Sequence, residues 1–253
     1  MIKSKKLSRF KNIEHAFFNR LGGKSTGIFK SLNCGLGSSD HKKNILKNLE
    51  IVGNKIKTKH RKIILLNQVH SNKFCYINKN SKLNNNKCEG DALITDKRNL
   101  PIDILSADCA PILIHDESKE MIAAVHAGWK GAYKDIVNKV VKFMLKKGCS
   151  SKNIIVAIGP CISNNNYQVK ENFIKKFLKK DKKNIIFFKK TENRNYFNLN
   201  GYVHLQLKNL GIEKIDIIDK DTFNAKNNFF SARRSISRNE NDYGRNISII
   251  MIN

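Results

Sequence analysis

Nine apolar runs of strand length recur along the chain, and several of those before residue 130 are joined by short connections. Parallel neighbours need a crossover of about a dozen residues or more, so these connections favour antiparallel or mixed pairing over a doubly wound parallel sheet. The pattern predicts an α+β fold with a strand-rich core. The runs are residues 63–66, 74–77, 92–95, 102–105, 112–114, 122–125, 154–158, 215–218 and 247–252.

Residues 130–147 carry apolar side chains at helical spacing and predict the principal helix. Gly148 follows as its expected C-terminal cap. Two further helices are predicted over residues 170–179 and 201–210, the second ending before Gly211.

Two polar stretches, residues 78–87 and 180–195, predict surface loops. Neither divides the chain into self-sufficient halves, and no internal repeat is present. With 40% hydrophobic residues in 253, the chain can bury a sizeable core. We therefore expect one domain over residues 1–253.

The net charge is strongly positive, +27 from 48 basic and 21 acidic residues. Such a charge raises the question of nucleic-acid binding. The lysines are spread over most segments together with Asn and Ile, without the interleaved aromatic residues that stack on bases. Nucleic acid is therefore not the expected partner, although a positive field would speed the capture of phosphate or other anions at low salt.

Targeting and cysteine patterns indicate a cytoplasmic protein. The longest apolar runs are far shorter than the roughly 20 residues that span a bilayer, so no membrane helix is expected. Residues 1–7 are charged and lead into no continuous apolar segment, unlike a secretory signal. The six cysteines form no C-x-x-C pair, and most are expected to be reduced thiols. A monomer or a homodimer is expected.

Three short segments each end or turn an apolar stretch on a residue that can bind a metal. They place His70, Cys109 and His126 at or just beyond the ends of predicted strands, where neighbouring side chains can converge. Two histidines and a cysteine are ligand types that zinc prefers, and three protein ligands with one open position are typical of a catalytic zinc site.

The spacing of these three residues matches no local zinc motif, so the alternatives stay open. A buried histidine is more often a hydrogen-bonded structural residue, and a free cysteine in an apolar run usually serves packing. Other histidines remain possible ligands, including His15, His60, His115 and His204.

Several residues next to these segments can serve a site. Backbone N–H groups after Gly128, with Lys130, can receive an anion if a helix starts there. Trp129 can stack on a ligand ring or anchor the core. Asp91 and Asp108 can act as general acid or base, orient a ligand histidine, or cap a turn.

The turn at residues 19–25 contains Arg20, two glycines and a serine. These groups suit an anion or sugar hydroxyls. The turn is too short to be a P-loop.

Eight segments in a fixed order resemble the YfiH family, also called the multicopper polyphenol oxidase or laccase-domain family and now described as purine nucleoside phosphorylases. The matches run from about residue 15 to the C-terminus. They are HAFFNRLGG (15–23), SLNCG (31–35), NQVHS (67–71), GDALIT (90–95), ADCAP (107–111), HAGWKG (126–131), IGPCI (158–162) and FFSARR (229–234).

The resemblance implies a single domain with mixed β-sheets packed in layers and flanking helices. It also implies that His70, Cys109 and His126 form the catalytic centre and hold one zinc ion. The implied reactions are phosphorolysis of adenosine, inosine, guanosine or S-methyl-5′-thioadenosine to the free base and the (methylthio)ribose 1-phosphate, and deamination of adenosine. The implied substrates are purine nucleosides and inorganic phosphate.

Two positions depart from the family pattern. The family usually has Tyr-Glu-Val where this chain has Tyr167-Gln168-Val169, and Cys-Thr where it has Asp221-Thr222. Neither departure touches the three metal ligands, so metal binding is expected to survive. The substrate range is the property that they put in question.

Phosphorolysis requires groups that hold phosphate. Arg20, Lys130 and the helix start near Gly128 are the candidates. Other zinc deaminases use a nearby Glu as proton shuttle, and the sequence identifies no such Glu here.

Three rival functions remain open at this stage. A copper polyphenol oxidase would need many clustered histidines, and only seven are present, although His and Cys also accept copper. Cys109 as a nucleophile with a histidine base would give a hydrolase of a peptide or cell-wall precursor. A basic nucleic-acid-binding protein would bind with a steep salt dependence.

Overall fold

Two β-sheets lie face to face between layers of helices. The computed structural model describes residues 1–59, 63–81 and 88–253. The strands are β1 (Ile13–Phe17), β2 (Cys75–Ile77), β3 (Ala92–Thr95), β4 (Ile102–Ser106), β5 (Ala110–Asp116), β6 (Met121–Ala127), β7 (Ile154–Ile158), β8 (Gln168–Val169), β9 (Phe188–Thr191), β10 (Arg194–Phe197), β11 (Lys214–Ile217) and β12 (Asn246–Ile252). The helices are α1 (Lys42–Lys55), α2 (Trp129–Tyr133), α3 (Ile136–Lys146), α4 (Glu171–Lys180), α5 (Leu199–Asn209) and α6 (Ala232–Ser237).

The sheets combine antiparallel and parallel pairing. One sheet has the order β1-β12-β4 and is antiparallel. The other has the order β11-β7-β5-β6-β3-β2, with antiparallel pairs in the centre and one parallel pair at each edge. A small third sheet has the order β8-β10-β9. The predicted α+β class with mixed sheets is confirmed.

Three apolar clusters join the layers. Between the two large sheets, side chains such as Ile250 and Leu113 pack together. The other face of the six-stranded sheet is covered by α3 and α5, for example through Val140. The outer face of the three-stranded sheet is covered by α1, for example where Leu49 joins the cluster of Ile249. Each sheet thus buries both faces, and the layered arrangement implied by the family resemblance is confirmed.

One predicted strand is wrong, and four strands, β1, β8, β9 and β10, were not predicted. Residues 63–66 form only an isolated bridge, from Ile64 to Ile102, because the chain turns away toward Asn67, which pairs with Glu89 instead. The other eight predicted strands form, most of them longer or shifted by a residue or two. Strand β1 was missed because Glu14 and His15 interrupt its apolar run.

The predicted principal helix over residues 130–147 is broken into α2 and α3. Asp135 stands between them in the left-handed region, with φ +62°. Its carboxylate accepts hydrogen bonds from Lys180 Nζ at 2.7 Å and Gln206 Nε2 at 3.0 Å, and these contacts hold the break. Tertiary contacts therefore override the helical periodicity at this position.

Gly148 ends α3 as expected. It has φ +91°, and its amide donates to Leu145 O, while the amide of Cys149 donates to Met144 O. This is the Schellman arrangement that favours glycine. The predicted helices at 170–179 and 201–210 form as α4 and α5 with slightly different bounds, whereas α1 was not predicted. Within the described ranges, no helix has both the length and the apolar character needed to cross a membrane.

The predicted loop over residues 180–195 is wrong. It contains a 3-10 helix (Lys182–Phe187), β9, the turn that follows it and the start of β10. The segment is ordered because Phe187 and Phe188 pack into the aromatic cluster below α4. Of the other predicted loop, residues 78–81 form a turn, and residues 82–87 lie outside the described residues.

The structure joins Cys75 and Cys88 in a disulfide. The sequence did not predict this pair. It forms because β2 runs beside the segment that leads into β3 and brings the two side chains together. The other four cysteines, Cys34, Cys109, Cys149 and Cys161, are free.

Asp103 is a buried acid within the apolar layers, and it gives a prediction on stability. It is 1% exposed, and neither carboxyl oxygen has a hydrogen-bond partner among the described residues. Burial raises the pKa of Asp103 well above its usual value. The folded chain therefore keeps a proton that the unfolded chain releases above about pH 4, and folding loses up to about 1.4 kcal/mol per pH unit above that point.

We expect Asp103→Asn to raise the free energy of unfolding at pH 7.5 by on the order of 2 kcal/mol, because the amide needs no proton. The gain should shrink as the pH falls toward 4. Urea unfolding of both proteins at pH 5 and pH 7.5 measures this. An equal difference at the two pH values would contradict the assignment.

Candidate metal centre

The three predicted ligands lie at one end of the six-stranded sheet. Cys109 immediately precedes β5, and His126 is the next-to-last residue of β6. These strands are antiparallel neighbours, with Pro111 opposite His126, so the start of one meets the end of the other. His70 reaches the same place from the turn that follows Asn67. The folding of two central strands therefore sets the positions of two ligands.

One donor atom from each of the three residues lies within 4.8 Å of the others. Cys109 Sγ is 3.9 Å from His70 Nε2, and the two imidazole rings meet edge to face at 4.8 Å. His126 is buried, Cys109 is partly exposed and His70 is exposed. Two imidazoles and one thiol form a donor set that fits zinc and also accepts copper.

Asp91 organises two of the three ligands. It is fully buried just before β3, and its Oδ1 lies 2.9 Å from His126 Nδ1. The same oxygen accepts from the backbone N–H of His70 at 3.0 Å. Because His126 uses Nδ1 for this contact, its Nε2 is left for a metal, as in the carboxylate–histidine pairs of metal sites.

The second oxygen of Asp91 stabilises the turn that carries His70. It accepts from Ser71 N at 2.5 Å and from Ser71 Oγ at 2.8 Å. His70 itself has φ +55°. Burial would raise the pKa of Asp91, but the hydrogen bonds from His126 and Ser71 outweigh it and lower this pKa to about 2. Of the roles proposed from the sequence, the one that this geometry supports for Asp91 is orienting the ligands.

Asp108 has a different role in the adjoining turn. It adopts φ +85°, and its oxygens accept from Thr222 Oγ1 at 2.6 Å, Ser231 Oγ at 2.9 Å and Arg233 N at 2.7 Å. Burial raises the pKa of Asp108, and this effect outweighs the hydrogen bonds from the three donors, which lower it. Asp108 therefore ties the Cys109 turn to the start of α6.

The electrostatics favour a metal-binding thiolate. Burial would raise the pKa of the Cys109 thiol, but His126 and His70 outweigh it and lower this pKa to about 7. In contrast, burial raises the pKa of Cys149 to about 12. Cys109 is therefore the free cysteine most ready to act as a ligand or a nucleophile.

Gly128 permits the close packing of the ligands. A Cβ atom placed on it would lie 2.8 Å from Cys109 Sγ and 3.1 Å from His70 Cδ2. Its φ of −70° is ordinary, so the requirement is one of space. The helix that follows, α2, has only five residues, which weakens the expected anion site at a long helix start.

Two spaces of opposite character meet at Cys109. We call the first the polar cavity, which has a volume of about 290 Å³. The second, the aromatic cavity, consists of adjoining spaces of about 270 Å³ and 550 Å³ that share Trp129, Tyr167 and Arg233. The polar cavity is lined by all three ligands and by Asn67, Gln68 and Arg245, among others.

The aromatic cavity places Trp129 beside the site. Its ring packs on Phe173 at 5.0 Å between centroids, and Tyr167 packs on the same phenylalanine at 6.4 Å. Arg233 lies over the Tyr167 ring at 5.5 Å and donates to Gln168 O at 2.9 Å. Gln168, at one of the departures from the family pattern, lines this cavity. Asp221, at the other, instead holds the Ser163 turn.

The sequence candidates Arg20 and Lys130 do not line either cavity. Arg20 lies over the Phe230 ring at 5.0 Å, and its Nε donates to Lys30 O at 2.5 Å. Lys130 is exposed, with Nζ 5.8 Å from the Trp129 ring centre.

Among the described residues, no other histidine joins the cluster. His15 accepts from Ser4 N, His115 packs edge-on against Phe10, and His204 lies on α5. His60 lies outside the described residues.

Sequence reasoning missed Arg233 and Arg245 as site residues. Arg233 stands in the FFSARR segment, which was noted only as a family match. Arg245 carried no signal, because its position depends on β12 bringing it to the polar cavity.

Comparison with known proteins agrees with this architecture. Residues 14–253 match the family described as multi-copper polyphenol oxidoreductase laccase. A protein of Rickettsia prowazekii named purine nucleoside phosphorylase is 34% identical over 227 residues, covering 89% of this chain and 90% of its own. Another of that name from Rickettsia conorii is 38% identical over 212 residues, covering 81% and 86%. The crystal structure of the hypothetical protein YfiH of Bacillus licheniformis superposes with a TM-score of 0.87 at 25% identity, covering 95% and 93%.

Proposed function

The chain belongs to the multi-copper polyphenol oxidoreductase laccase family, and on this premise we propose that it is a purine nucleoside phosphorylase built as one domain over residues 1–253. It cleaves adenosine, inosine, guanosine or S-methyl-5′-thioadenosine with phosphate, and it also deaminates adenosine. His70, Cys109 and His126 hold a zinc ion. The relatives that carry the name purine nucleoside phosphorylase support the reaction class.

The observation that carries the proposal is that Cys109 lines both the polar and the aromatic cavity. A nucleoside has an apolar, stackable base and a polar ribose, and phosphorolysis adds an anion on the ribose side. The polar cavity offers a cation and polar amides, which suit the ribose and the anion. The aromatic cavity offers rings, which suit the base.

Zinc, when bound by the three ligands, supplies a Lewis acid that lowers the pKa of bound water and stabilises developing negative charge. The protein residues position this chemistry. Asp91 keeps His126 and the His70 turn in place, and Gly128 allows the thiolate and the imidazole to approach each other closely.

The aromatic cavity receives the purine in this proposal. Trp129 and Tyr167 offer rings for stacking. Arg233 can donate to the base as its bond to ribose breaks and negative charge accumulates on the leaving purine. With the base in the aromatic cavity, the polar cavity is left for the ribose and phosphate.

Phosphate binds in the polar cavity. Arg245 stacks on Tyr243 at 4.4 Å, and Asp242 accepts from its Nη1 at 3.0 Å, so the guanidinium is held in a fixed position beside the metal ligands. Gln68 exchanges two hydrogen bonds with the backbone of Leu105, which fixes a second polar side chain there. Arg20 and Lys130 do not line this cavity, so in this proposal they only attract the anion toward the site through their charge and do not contact bound phosphate.

We expect Arg245→Gln to raise KM for phosphate by about 10-fold to 100-fold, the loss of one charge-assisted hydrogen bond. KM for adenosine should change far less. Arg20→Gln and Lys130→Gln are the matched controls, and each should raise KM for phosphate less than threefold or so. A larger effect at Arg20 than at Arg245 would place phosphate in the 19–25 turn instead.

Product analysis tests the function. Zinc-loaded protein is incubated with adenosine, with and without phosphate, and the products are separated by chromatography. Adenine with ribose 1-phosphate that forms only with phosphate shows phosphorolysis, and inosine shows deamination. If neither adenine with ribose 1-phosphate nor inosine is formed, the proposal is refuted. Oxygen consumption with a phenol by copper-loaded protein would favour the polyphenol oxidase instead.

A further inference from the structure

A second pair of reactive groups lies in the two chain segments that flank the His70 turn. The disulfide between Cys75 and Cys88 joins β2 to the segment that leads into β3. We infer that this pair is a site of reversible thiol–disulfide exchange, whose oxidation state sets how firmly the turn carrying His70 is held.

This cross-link is not needed to hold the fold. Three apolar clusters already join the layers, and a chain of this size buries enough surface without covalent staples. The other buried thiols do not share the arrangement, because Cys34, Cys149 and Cys161 are each free. A disulfide between the segments that carry His70 and Asp91 therefore points to a role other than global stability.

The disulfide lies between the two segments that position His70. Asn67 N donates to Cys88 O at 3.0 Å, and Gly90 N donates to Asn67 O at 3.1 Å. Farther along the same pair of segments, Asp91 N donates to Lys73 O at 2.9 Å. These three hydrogen bonds join residues 67–75 to residues 88–91, and the disulfide joins the same two segments covalently.

The His70 turn is the part that this clamp supports. Asp91 receives the backbone N–H groups of His70 and Ser71, and Asp91 stands three residues after Cys88. When the disulfide is broken, only non-covalent contacts keep Asp91 opposite the turn. The turn should then open more often, and a metal held through His70 should leave faster.

The exchange needs a disulfide from outside, such as oxidised glutathione. Cys88 is partly exposed and Cys75 is 9% exposed, so Cys88 reacts first. Its thiolate attacks one sulfur of the reagent, the reagent's S–S bond breaks, and one thiol leaves. The thiolate of Cys75 then attacks Cys88 sulfur in the mixed disulfide and releases the second thiol. Two protein thiols are oxidised, one reagent disulfide is reduced, and the two protons pass to the released thiolates.

The experiment equilibrates the full chain in mixtures of oxidised and reduced glutathione and measures three properties. Alkylation followed by mass spectrometry counts the free thiols at Cys75 and Cys88. Amide hydrogen exchange reports the opening of the His70 and Ser71 backbone, and transfer of zinc to a chelator reports metal release. We expect exchange at both amides, and zinc release, to be about tenfold faster in the reduced protein.

Two variants separate the disulfide from other effects. The double variant Cys75→Ser with Cys88→Ser should behave like the reduced protein in every glutathione mixture. Cys34→Ser, which removes a buried free thiol beside α1, should respond to glutathione as the parent does.

Three results would overturn the inference. They are alkylation of both cysteines in oxidised glutathione, a disulfide that reduced glutathione cannot open in the folded protein, and equal amide exchange in the two states. The thiol count and the amide exchange require neither zinc nor a nucleoside. Failure of phosphorolysis would therefore be distinguishable from failure of this inference.

Discussion

Replacing Cys109 with alanine should abolish stoichiometric zinc binding and lower kcat/KM for adenosine phosphorolysis by at least about a thousandfold, an increase of about 4 kcal/mol in the barrier. The thiolate is the one anionic ligand in the cluster, and two imidazoles alone hold zinc weakly. Metal content of the purified variant and initial rates with adenosine and phosphate measure the effect.

Cys149→Ala is the matched control for that change. Cys149 is a buried free cysteine beside Met121, which begins β6, whereas His126 lies near the other end of the same strand. This variant should keep its zinc and its activity. If Cys109→Ala retains full phosphorolysis activity, the cluster of His70, Cys109 and His126 does not take part in the reaction. If the parent instead holds no metal but its Cys109 is rapidly alkylated, the cysteine-dependent hydrolase becomes the better explanation.

The strands could be predicted from the sequence because both sheets bury both faces. Most strands then read as continuous apolar runs, such as Ile154–Ile158, whose prediction matches the structure to the residue. Residues 63–66 have the same composition, yet only Ile64 finds a partner. Whether an apolar segment pairs depends on neighbours distant in sequence, and composition alone does not contain that information.

The three candidate metal ligands could be predicted from the sequence, whereas most of the residues around them could not. Placing Cys109 and His126 at strand ends required only the hydrophobic pattern. The strand predicted before His70 does not form, and His70 reaches the cluster from a turn. The need for glycine at position 128 was not visible, because it arises from a sulfur and a ring that reach it through space. Arg245 likewise enters the polar cavity only through the antiparallel pairing of β12 with β4.

The break at Asp135 shortens the helix that begins after Gly128. Apolar spacing runs without interruption through residues 130–147, so the sequence favours one long helix whose start could bind an anion. In the structure Lys180 and Gln206 hold Asp135 in a left-handed conformation, and only one short helix follows Gly128. The cation beside the ligands is instead Arg245, which stands more than a hundred residues away in sequence.

Replacing Asp91 with asparagine should weaken zinc binding by about 10-fold to 100-fold. The amide keeps one acceptor, so it can still meet His126 Nδ1 or the His70 N–H, but its NH₂ group faces the donors Ser71 N and Oγ. Chelator competition measures the affinity. Because the three ligands are intact, excess zinc should restore much of the lost kcat, which it cannot do for Cys109→Ala.

The comparison with Ser71→Ala separates positioning of the ligands from general destabilisation. That variant removes the hydroxyl contact to Asp91 but keeps the backbone contact, so zinc affinity should fall only severalfold or less. If the carboxylate acts by orienting His126 and the His70 turn, zinc affinity should be highest in the parent, lower in Ser71→Ala and lowest in Asp91→Asn. If Asp91→Asn lowers kcat equally at saturating and limiting zinc, Asp91 instead acts as a general acid or base in the reaction. The four donors that its carboxylate already accepts from argue against that role.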